Sequence, residues 1–533
     1  KQECKENSLL FDEHTWGASQ SVTESDSPET YSQLVHKTEY AYRAADLSGY
    51  LLSTQAESFC GNPHQSDELE GIVLLNPSDT AQTIEVKVPR SYLLKDRQLS
   101  SIRSKGYVPY LNSGEECESF GVATLEPFSA KTVRFAGNAR EGAVKESAFH
   151  WENSVLETPY YVVKLDKENR KIIQITDKKN GRDLLDENSG YALFEPVRES
   201  IDAEQDDTTR ETLFPRNVDL GNRSISQWNH EWHAKRLKAE QSSQTEIHKE
   251  EHQITFMSQL LLPGMKRMEQ KITFYSYRKA IRMEIVFWKE PVYEPESIYF
   301  VVPLKMGSGW KCGYDTAGET VLLDEEQMGA VCRDWLTVDT GVSVYEDGCC
   351  ATLSCPDAPM VQVGGFRFGK ESHKVEREEN PLLLAWALNN YWNTNFLANP
   401  SGRMELAYEL TMHENFDAKT MREDGVSAQQ PTVVCAAVSL AGRQPERKFL
   451  TAEGKPSILH IYPAKQDSAV NVAVKNLEHT EEVLQIAFSE GKVLRAELVT
   501  PQENVIKEIE VENGLTKVCV PPRRLVIVRL TKE

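Results

Sequence analysis

The feature that most constrains the fold is the stretch from about residue 160 to residue 440, where short apolar or alternating segments follow one another. Segments such as Ile254 to Leu262, Ile281 to Phe287 and Met404 to Met412 place apolar side chains in short runs or at every second position. Turns rich in Gly, Pro and Asn separate them, which is typical of β-strands. Because strands do not alternate with helices anywhere, the pattern argues against a TIM-like or doubly wound domain and predicts a large β-sandwich.

Smaller parts flank this stretch. Ser27 to Gln55 has helical periodicity, with Ser27 suited to the cap and Pro28 to the first turn. One helical face carries Tyr31, Leu34, Val35, Thr38 and Tyr42. With 533 residues, about 150 per domain suggests three or four domains. We predict a mainly β chain with a short helical segment, divided into a helical part (1–62), a small β domain (66–140), a large sandwich (150–442) and a carboxy-terminal β-sandwich (455–533).

Charge and cysteine content bear on partners and compartment. Sixty basic and 81 acidic side chains give a net charge of −21, which repels nucleic acid and anionic membrane surfaces. No apolar run approaches the ~20 residues that span a bilayer. The first residues are polar and lack the apolar core of a secretory signal. Ten cysteines without a Cys-x-x-Cys pair predict reduced thiols and a cytoplasmic location.

Several motifs have both a chemical and a structural interpretation. His248 to His252 matches the His-x-x-Glu-His pattern of some zinc proteases, but strand alternation follows directly, which favours an exposed β-hairpin. His230 and His233 lack a third metal ligand of defined spacing and lie beside Trp228 and Trp232, so buried histidines or a sugar-stacking surface are the alternatives.

Cys349, Cys350 and Cys355 are too few for structural zinc and are expected to be core thiols. Phosphate-binding Gly-rich loops and the Gly-x-Ser-x-Gly elbow are absent from the sequence.

Two clusters combine large rings with polar side chains, a composition typical of pocket walls. The first spans Phe11 to Ala18 and contains His14 and Trp16. The second spans Asn389 to Phe396. Buried Asn side chains also tie loops together, so each cluster has a structural alternative.

These clusters, in this order, resemble glycoside hydrolase family 38, the zinc-dependent α-mannosidases and their bacterial relatives. The similarity covers nearly the whole chain. Further matching segments are Tyr160 to Asp186, Tyr314 to Gly318, Cys332 to Trp335, Pro356 to Pro359 and Asn390 to Phe396. The resemblance implies that residues 1–62 contain the end of a catalytic region. It also implies that the large sandwich is a galactose-mutarotase-like β-supersandwich.

The resemblance further implies a retaining hydrolase, with two carboxyl groups roughly 5–5.5 Å apart and zinc held by two aspartates and two histidines. In the family an amino-terminal α/β barrel supplies the nucleophile and all zinc ligands except one late histidine, which corresponds to His14. That barrel is absent here, either cut off, encoded separately or lost, so we expect no catalytic residue in this chain. Zinc would belong to the complete enzyme. We expect this chain alone to bind none, because a single imidazole cannot retain the metal.

The substrate-binding candidates all lie in the two ring-rich clusters. They are Trp16, Asn390, Tyr391, Trp392, Asn393 and Asn395. The expected partners are a mannoside substrate and the amino-terminal barrel, and a homodimer is left open. Two rival functions remain. One is a stand-alone carbohydrate-binding or scaffold protein, and the other is a zinc protease built on His248 and His252.

Overall fold

A computed structural model describes residues 1–13, 17–21, 24–61, 70–89, 117–135, 147–201, 234–368, 372–377, 379–391, 395–466 and 468–533. The helices in these ranges are α1 (Gln2–Asp12), α2 (Pro28–Cys60) and α3 (Ala418–Ala428). Contacts divide the chain into two compact units. Unit 1 comprises Lys1–Ala44, Lys145–Thr316 and Val321–Phe416, and unit 2 comprises Ala45–Val144, Ala317–Thr320 and Asp417–Glu533. The four predicted domain boundaries stay a prediction.

Most described residues outside the helices form short strands. The first group is β1 (Gly71–Asn76), β2 (Gln82–Pro89), β3 (Cys117–Leu125), β4 (Ser129–Arg134), β5 (His150–Glu152), β6 (Val155–Glu157), β7 (Tyr161–Leu165), β8 (Ile172–Asp177) and β9 (Glu195–Ile201). The second group is β10 (Ala234–Lys238), β11 (Glu240–Gln241), β12 (Glu246–Lys249), β13 (Gln253–Leu261), β14 (Met265–Tyr275), β15 (Ala280–Lys289), β16 (Glu296–Pro303), β17 (Lys311–Thr316), β18 (Glu319–Leu322), β19 (Leu336–Thr337), β20 (Gly341–Glu346), β21 (Cys349–Ser354), β22 (Met360–Val363), β23 (Leu382–Asn389) and β24 (Gly402–His413). The third group is β25 (Val433–Ala437), β26 (Glu446–Lys448), β27 (Leu450–Glu453), β28 (Ser457–Pro463), β29 (Ala469–Lys475), β30 (Glu482–Phe488), β31 (Val493–Val499), β32 (Val505–Ile509), β33 (Val511–Glu512), β34 (Leu515–Val520) and β35 (Leu525–Lys532).

The predicted large sandwich is confirmed. One sheet has the strand order β10-β9-β16-β23-β22-β19, and the other runs β11-β13-β14-β15-β24-β21-β20-β17-β18, with β12 also paired to β13. Alternate residues of both sheets enter one core, such as Ile298 and Phe300 of β16 and Met283 and Ile285 of β15. The residues between them on β16, Tyr299 among them, enter a second aromatic cluster, so this strand is buried on both faces.

Unit 2 contains two smaller β assemblies. In the first, β25-β1-β4-β26 forms a four-stranded sheet and β2 pairs with β3. In the second, the sheets β27-β30-β34-β33 and β28-β29-β35-β31-β32 share a core of mostly valine and leucine side chains. A tight turn joins β33 to β34, where Asn513 and Gly514 have φ angles of 54° and 79°.

The helix predicted from Ser27 onwards is confirmed, and Ser27 Oγ accepts a hydrogen bond from the backbone N–H of Thr30 at 3.2 Å. Cys349, Cys350 and Cys355 are buried, as expected of core thiols. Within the described ranges, no helix is both long and apolar enough to cross a membrane. The cytoplasmic location stays a prediction.

Candidate functional site

Asn390, the first residue after β23, ties two loops of unit 1 together. Its Oδ1 accepts a hydrogen bond from the backbone N–H of Glu296 at 2.7 Å. Its Nδ2 donates to the carbonyl oxygens of Val292, Glu294 and Ala398 at 3.2, 3.1 and 2.9 Å. The side chain is buried, so these bonds replace contacts with water. Asn390 therefore fixes the start of the second ring-rich cluster, and its role in substrate binding stays a prediction.

Replacing Asn390 with alanine is expected to destabilise unit 1. The substitution removes one acceptor and one donor group from buried backbone partners, which costs about 1–3 kcal/mol. Urea unfolding of the two proteins measures the difference. The exposed Asn188 offers a matched control, and Asn188→Ala should leave the midpoint nearly unchanged. Equal effects of the two substitutions would contradict the assigned role of Asn390.

The two ring-rich clusters meet in the structure. Gly17 is buried, and a Cβ atom at this position would lie 2.2 Å from the carbonyl oxygen of Asn395 and 2.8 Å from its carbonyl carbon. Lys37 of α2 donates from Nζ to the carbonyl oxygen of Gly17 at 2.9 Å. Such an approach of two backbones is open only to glycine. The structure thus brings the end of the first cluster against the end of the second. We call this contact between Gly17 and Asn395 the junction.

Of the remaining predicted site residues, His14, Trp16, Trp392 and Asn393 lie outside the described residues. So do His230 and His233, together with Trp228 and Trp232. Their roles stay predictions.

A second connection lies between the segment before α2 and the loop before β16. Asp26 accepts a hydrogen bond from the Tyr293 hydroxyl at 2.7 Å, and Asn399 Nδ2 donates to its other oxygen at 3.3 Å. The hydrogen bond to the carboxylate raises the pKa of Tyr293 above its ordinary value, so the phenol stays a donor at neutral pH. Asp26 therefore joins both loops that Asn390 also contacts.

Glu199 lies on β9, the strand that pairs with β16, and is the centre of a buried hydrogen-bond network. One carboxylate oxygen accepts from the hydroxyls of Tyr391 at 2.9 Å and Tyr299 at 3.4 Å. The other accepts from Arg236 Nε at 2.6 Å. Burial raises the pKa of both tyrosines well above the ordinary value, so they remain protonated donors. The sequence did not single out Glu199, because its strand, β9, carries Glu195, Arg198 and Ser200 as well and gives no sign of a buried charge.

Aromatic rings surround this carboxylate. Tyr391 stacks on Phe368 with ring centroids 4.5 Å apart, and Tyr299 stacks on Trp386 at 5.6 Å. Tyr391, Tyr299 and Trp386 are all buried. Tyr391 therefore contributes to the packed face of the sheet under the junction, and a direct contact with substrate stays a prediction.

A buried ion-pair group lies next to Asn390. Glu296 Oε1 is 2.5 Å from Lys289 Nζ, and Glu296 Oε2 is 2.7 Å from Arg198 Nε. The side chains of Lys289 and Glu296 are only 1% and 6% exposed. Two cations facing one carboxylate compensate the cost of burying its charge. This group holds the end of β15 and the start of β16 below the junction.

The chemistry open to the described residues is limited. Within the ranges that the structure covers, no group of three or more His, Cys, Asp or Glu side chains could hold a metal ion. His248 lies in β12, which pairs with β13, and His252 lies in the turn between them, so the predicted hairpin is confirmed. The helical geometry required by the protease motif is therefore not formed.

Comparison with known proteins gives structural matches only. No family model matches the sequence, and no curated protein matches it. An α-mannosidase from Enterococcus faecalis V583 matches with a TM-score of 0.59 and 12% identity, over 94% of this chain and 60% of that one. A protein in the glycosyl hydrolase family 38 from Enterococcus faecalis matches with a TM-score of 0.60 and 12% identity, over 99% of this chain and 69% of that one.

These matches confirm the predicted resemblance at the level of fold. The chain spans less than two thirds of the length of the first structure, so the activity of that whole protein is not transferred with the fold. Nearly all of this chain has the fold of the part of these family 38 structures that it matches.

Proposed function

We propose that this chain is the β-rich part of a zinc-dependent, retaining α-mannosidase-like glycoside hydrolase that acts in carbohydrate and mannose metabolism. The observation that carries the proposal is the match of 94–99% of the chain to the two family 38 structures. The meeting of the two ring-rich clusters at Gly17 and Asn395 supports it, because both segments were singled out as pocket walls.

In this proposal the junction positions the first cluster for a metal site completed from outside the chain. His14 is three residues before Gly17, whose backbone is fixed against Asn395 and by Lys37. Among the described residues, no group of three or more His, Cys, Asp or Glu side chains is placed to hold a metal ion. His14 would be one of its ligands, and the other ligands and the nucleophile would come from the catalytic barrel. We derive no catalytic step from the residues present.

The helices of unit 1 offer a surface for that barrel. Leu9 of α1 is 68% exposed, and Val35 and Tyr42 of α2 are 63% and 72% exposed. Val35 and Tyr42 share one face of α2 with Tyr31, which is also exposed. Several large apolar side chains in water on neighbouring turns are typical of an interface. We infer that this face of α2, with the exposed leucines of α1, contacts the catalytic barrel.

Hydrolysis of 4-nitrophenyl α-D-mannopyranoside tests the proposal. The chain alone, with added zinc, should release no nitrophenol above the buffer rate. A longer polypeptide that adds the sequence encoded before Lys1 should hydrolyse the substrate. Hydrolysis by the chain alone would contradict the proposal, as would the absence of a barrel and of activity in the longer polypeptide.

The rival function predicts a different result. A stand-alone carbohydrate-binding protein should bind methyl α-mannoside in calorimetric titration without any further domain. Saturable binding by the chain alone would favour this rival, whereas the incomplete hydrolase predicts no measurable heat of binding.

A further inference from the structure

A cleft of about 550 Å³ lies within unit 2. One of its walls is a single face of α2, where Leu52, Ala56 and Phe59 follow one another at intervals of three or four residues. Another wall comes from the second β assembly and includes Phe449 and Phe488. Binding sites for small molecules enclose about 300–1,000 Å³. The cleft therefore has the size of a ligand-binding site.

The lining of the cleft is mostly apolar. Phe128 and Leu450 belong to the core of the second β assembly, and Ala56 belongs to a smaller cluster around β1. Between these two cores the cleft remains open, so Phe449 and Ile461 keep 38% and 39% of their surfaces in water. Apolar surface of this kind gains free energy when a hydrocarbon covers it. The cleft thus favours a ligand with an extended apolar part.

Few polar groups are left to bind a ligand. Asn76 and Ser129 line the cleft, but both donate hydrogen bonds to the carbonyl oxygen of Glu126, at 2.9 and 2.7 Å. Gln55 and Lys532 are the polar lining residues whose side chains form no hydrogen bond within the described ranges. A sugar has many hydroxyl groups, and most of them would lose water without gaining a partner here. The lining instead suits a ligand with a single polar end.

The charge at the edge of the cleft indicates the sign of that polar end. Lys532 is exposed, with Nζ 5.7 Å from the centre of the Phe488 ring. Its stem lies against Gly491, where an added Cβ atom would be 2.8 Å from Lys532 Cε. Among the residues that the structure describes, no carboxylate forms an ion pair with Lys532. Glu490, adjacent to Gly491 in sequence, pairs with Arg447 at 2.6 Å instead. The positive charge of Lys532 is therefore available to an anion.

We propose that this cleft binds an amphiphilic carboxylate, a fatty acid of medium chain length. The hydrocarbon chain covers the apolar lining, and the carboxylate pairs with Lys532. The shortage of hydrogen-bonding groups disfavours a sugar, and the positive charge disfavours a cationic amphiphile. The site is distinct from the two ring-rich clusters, because Gly17 and Asn395 belong to unit 1.

Calorimetric titration of the full chain with decanoate, below its micelle concentration, tests the proposal. We expect saturable binding. Dodecanoate should bind more tightly, by about fourfold for each added methylene group that is buried. Decyltrimethylammonium has the same chain length with the opposite charge and should bind more weakly than decanoate. Acetate should give no measurable heat, because it lacks the apolar part.

Four variants locate the ligand. Lys532→Ala should weaken decanoate binding by about threefold, and Lys532→Glu should weaken it further. Ile461→Trp places a larger ring in the cleft and should remove most of the binding. The matched controls are Lys507→Ala and Ile506→Trp in β32, outside the cleft lining, which should leave decanoate binding unchanged. All four side chains are exposed, so each variant should keep the urea midpoint of the parent chain.

Several results would overturn the site. One is the absence of saturable decanoate binding, and another is equal affinity for decanoate and decyltrimethylammonium. Unchanged decanoate binding in both Ile461→Trp and Lys532→Glu would place the ligand elsewhere. A dimer in sedimentation that Ile461→Trp dissociates would mean that a second copy of the chain covers the cleft. All of these outcomes are independent of the α-mannosidase-like function, because the titrations require neither zinc nor the barrel.

Discussion

Replacing Glu296 with alanine is expected to lower the free energy of unfolding by about 3–5 kcal/mol. Glu296 is the shared partner of Lys289 and Arg198, and the Lys289 side chain is almost fully buried. Removing the carboxylate leaves a buried ammonium group whose charge water cannot reach. The remaining hydrogen bond of Lys289 Nζ, to the carbonyl oxygen of Glu290 at 2.7 Å, carries only partial charge and does not replace the ion pair.

Urea unfolding followed by tryptophan fluorescence measures this loss. Glu296→Gln provides a closer variant, because it retains an acceptor while removing the charge, and its loss should be smaller. The matched control is Glu414→Ala, which breaks an ion pair with Lys179 whose side chains are mostly exposed. That control should change stability little. Similar losses in Glu296→Ala and Glu414→Ala would show that the buried group does not stabilise unit 1.

Gly17→Val is expected to give the second large effect. Its Cβ would overlap with the backbone of Asn395, so one of the two loops has to move. Overpacking of this kind costs about 1–3 kcal/mol, and here it should also weaken the hydrogen bond from Lys37 to the Gly17 carbonyl. In a polypeptide that includes the catalytic barrel, the same displacement should lower activity, because the proposed zinc ligand His14 is only three residues from Gly17 in sequence.

Gly329 is a suitable control for this substitution. An added Cβ there meets no atom within 4 Å, and its φ angle is not in the left-handed region. Gly329→Ala should therefore be neutral, whereas Gly17→Ala should already be destabilising. A neutral Gly17→Ala would contradict the close contact between the two clusters.

The helices show which local signals the sequence carries. The helix after Ser27 was predicted because a cap, a proline and a periodic apolar face coincide. Helix α1 was missed because polar residues occupy most of its first turns. Helix α3 was also missed, although Asp417 at its start accepts a hydrogen bond from the backbone N–H of Thr420 at 2.7 Å. An Asp three residues before a Thr was the available signal.

Strand periodicity predicted the sandwiches, but not which strands pair. Strand β1 lies between β4 and β25, and β25 is more than 350 residues away in sequence. Such pairing is set by packing of side chains that are distant in sequence, which a local pattern does not contain.

The candidate site was predictable only in part. Ring-rich composition identified the segments that contain Gly17 and Asn395, but not that they touch. Glu199 and Glu296 were missed because a single carboxylate in a strand usually faces water. Their burial follows from partners on other strands, among them Arg236 and Lys289.

Zinc content measured with and without His14 tests the central claim most directly. The polypeptide that includes the sequence encoded before Lys1 should bind about one zinc ion per chain, as four ligands complete the site. His14→Ala should lose most of this metal, and the chain that begins at Lys1 should bind almost none. Full zinc occupancy in His14→Ala, or stoichiometric zinc on the chain that begins at Lys1, would contradict the account.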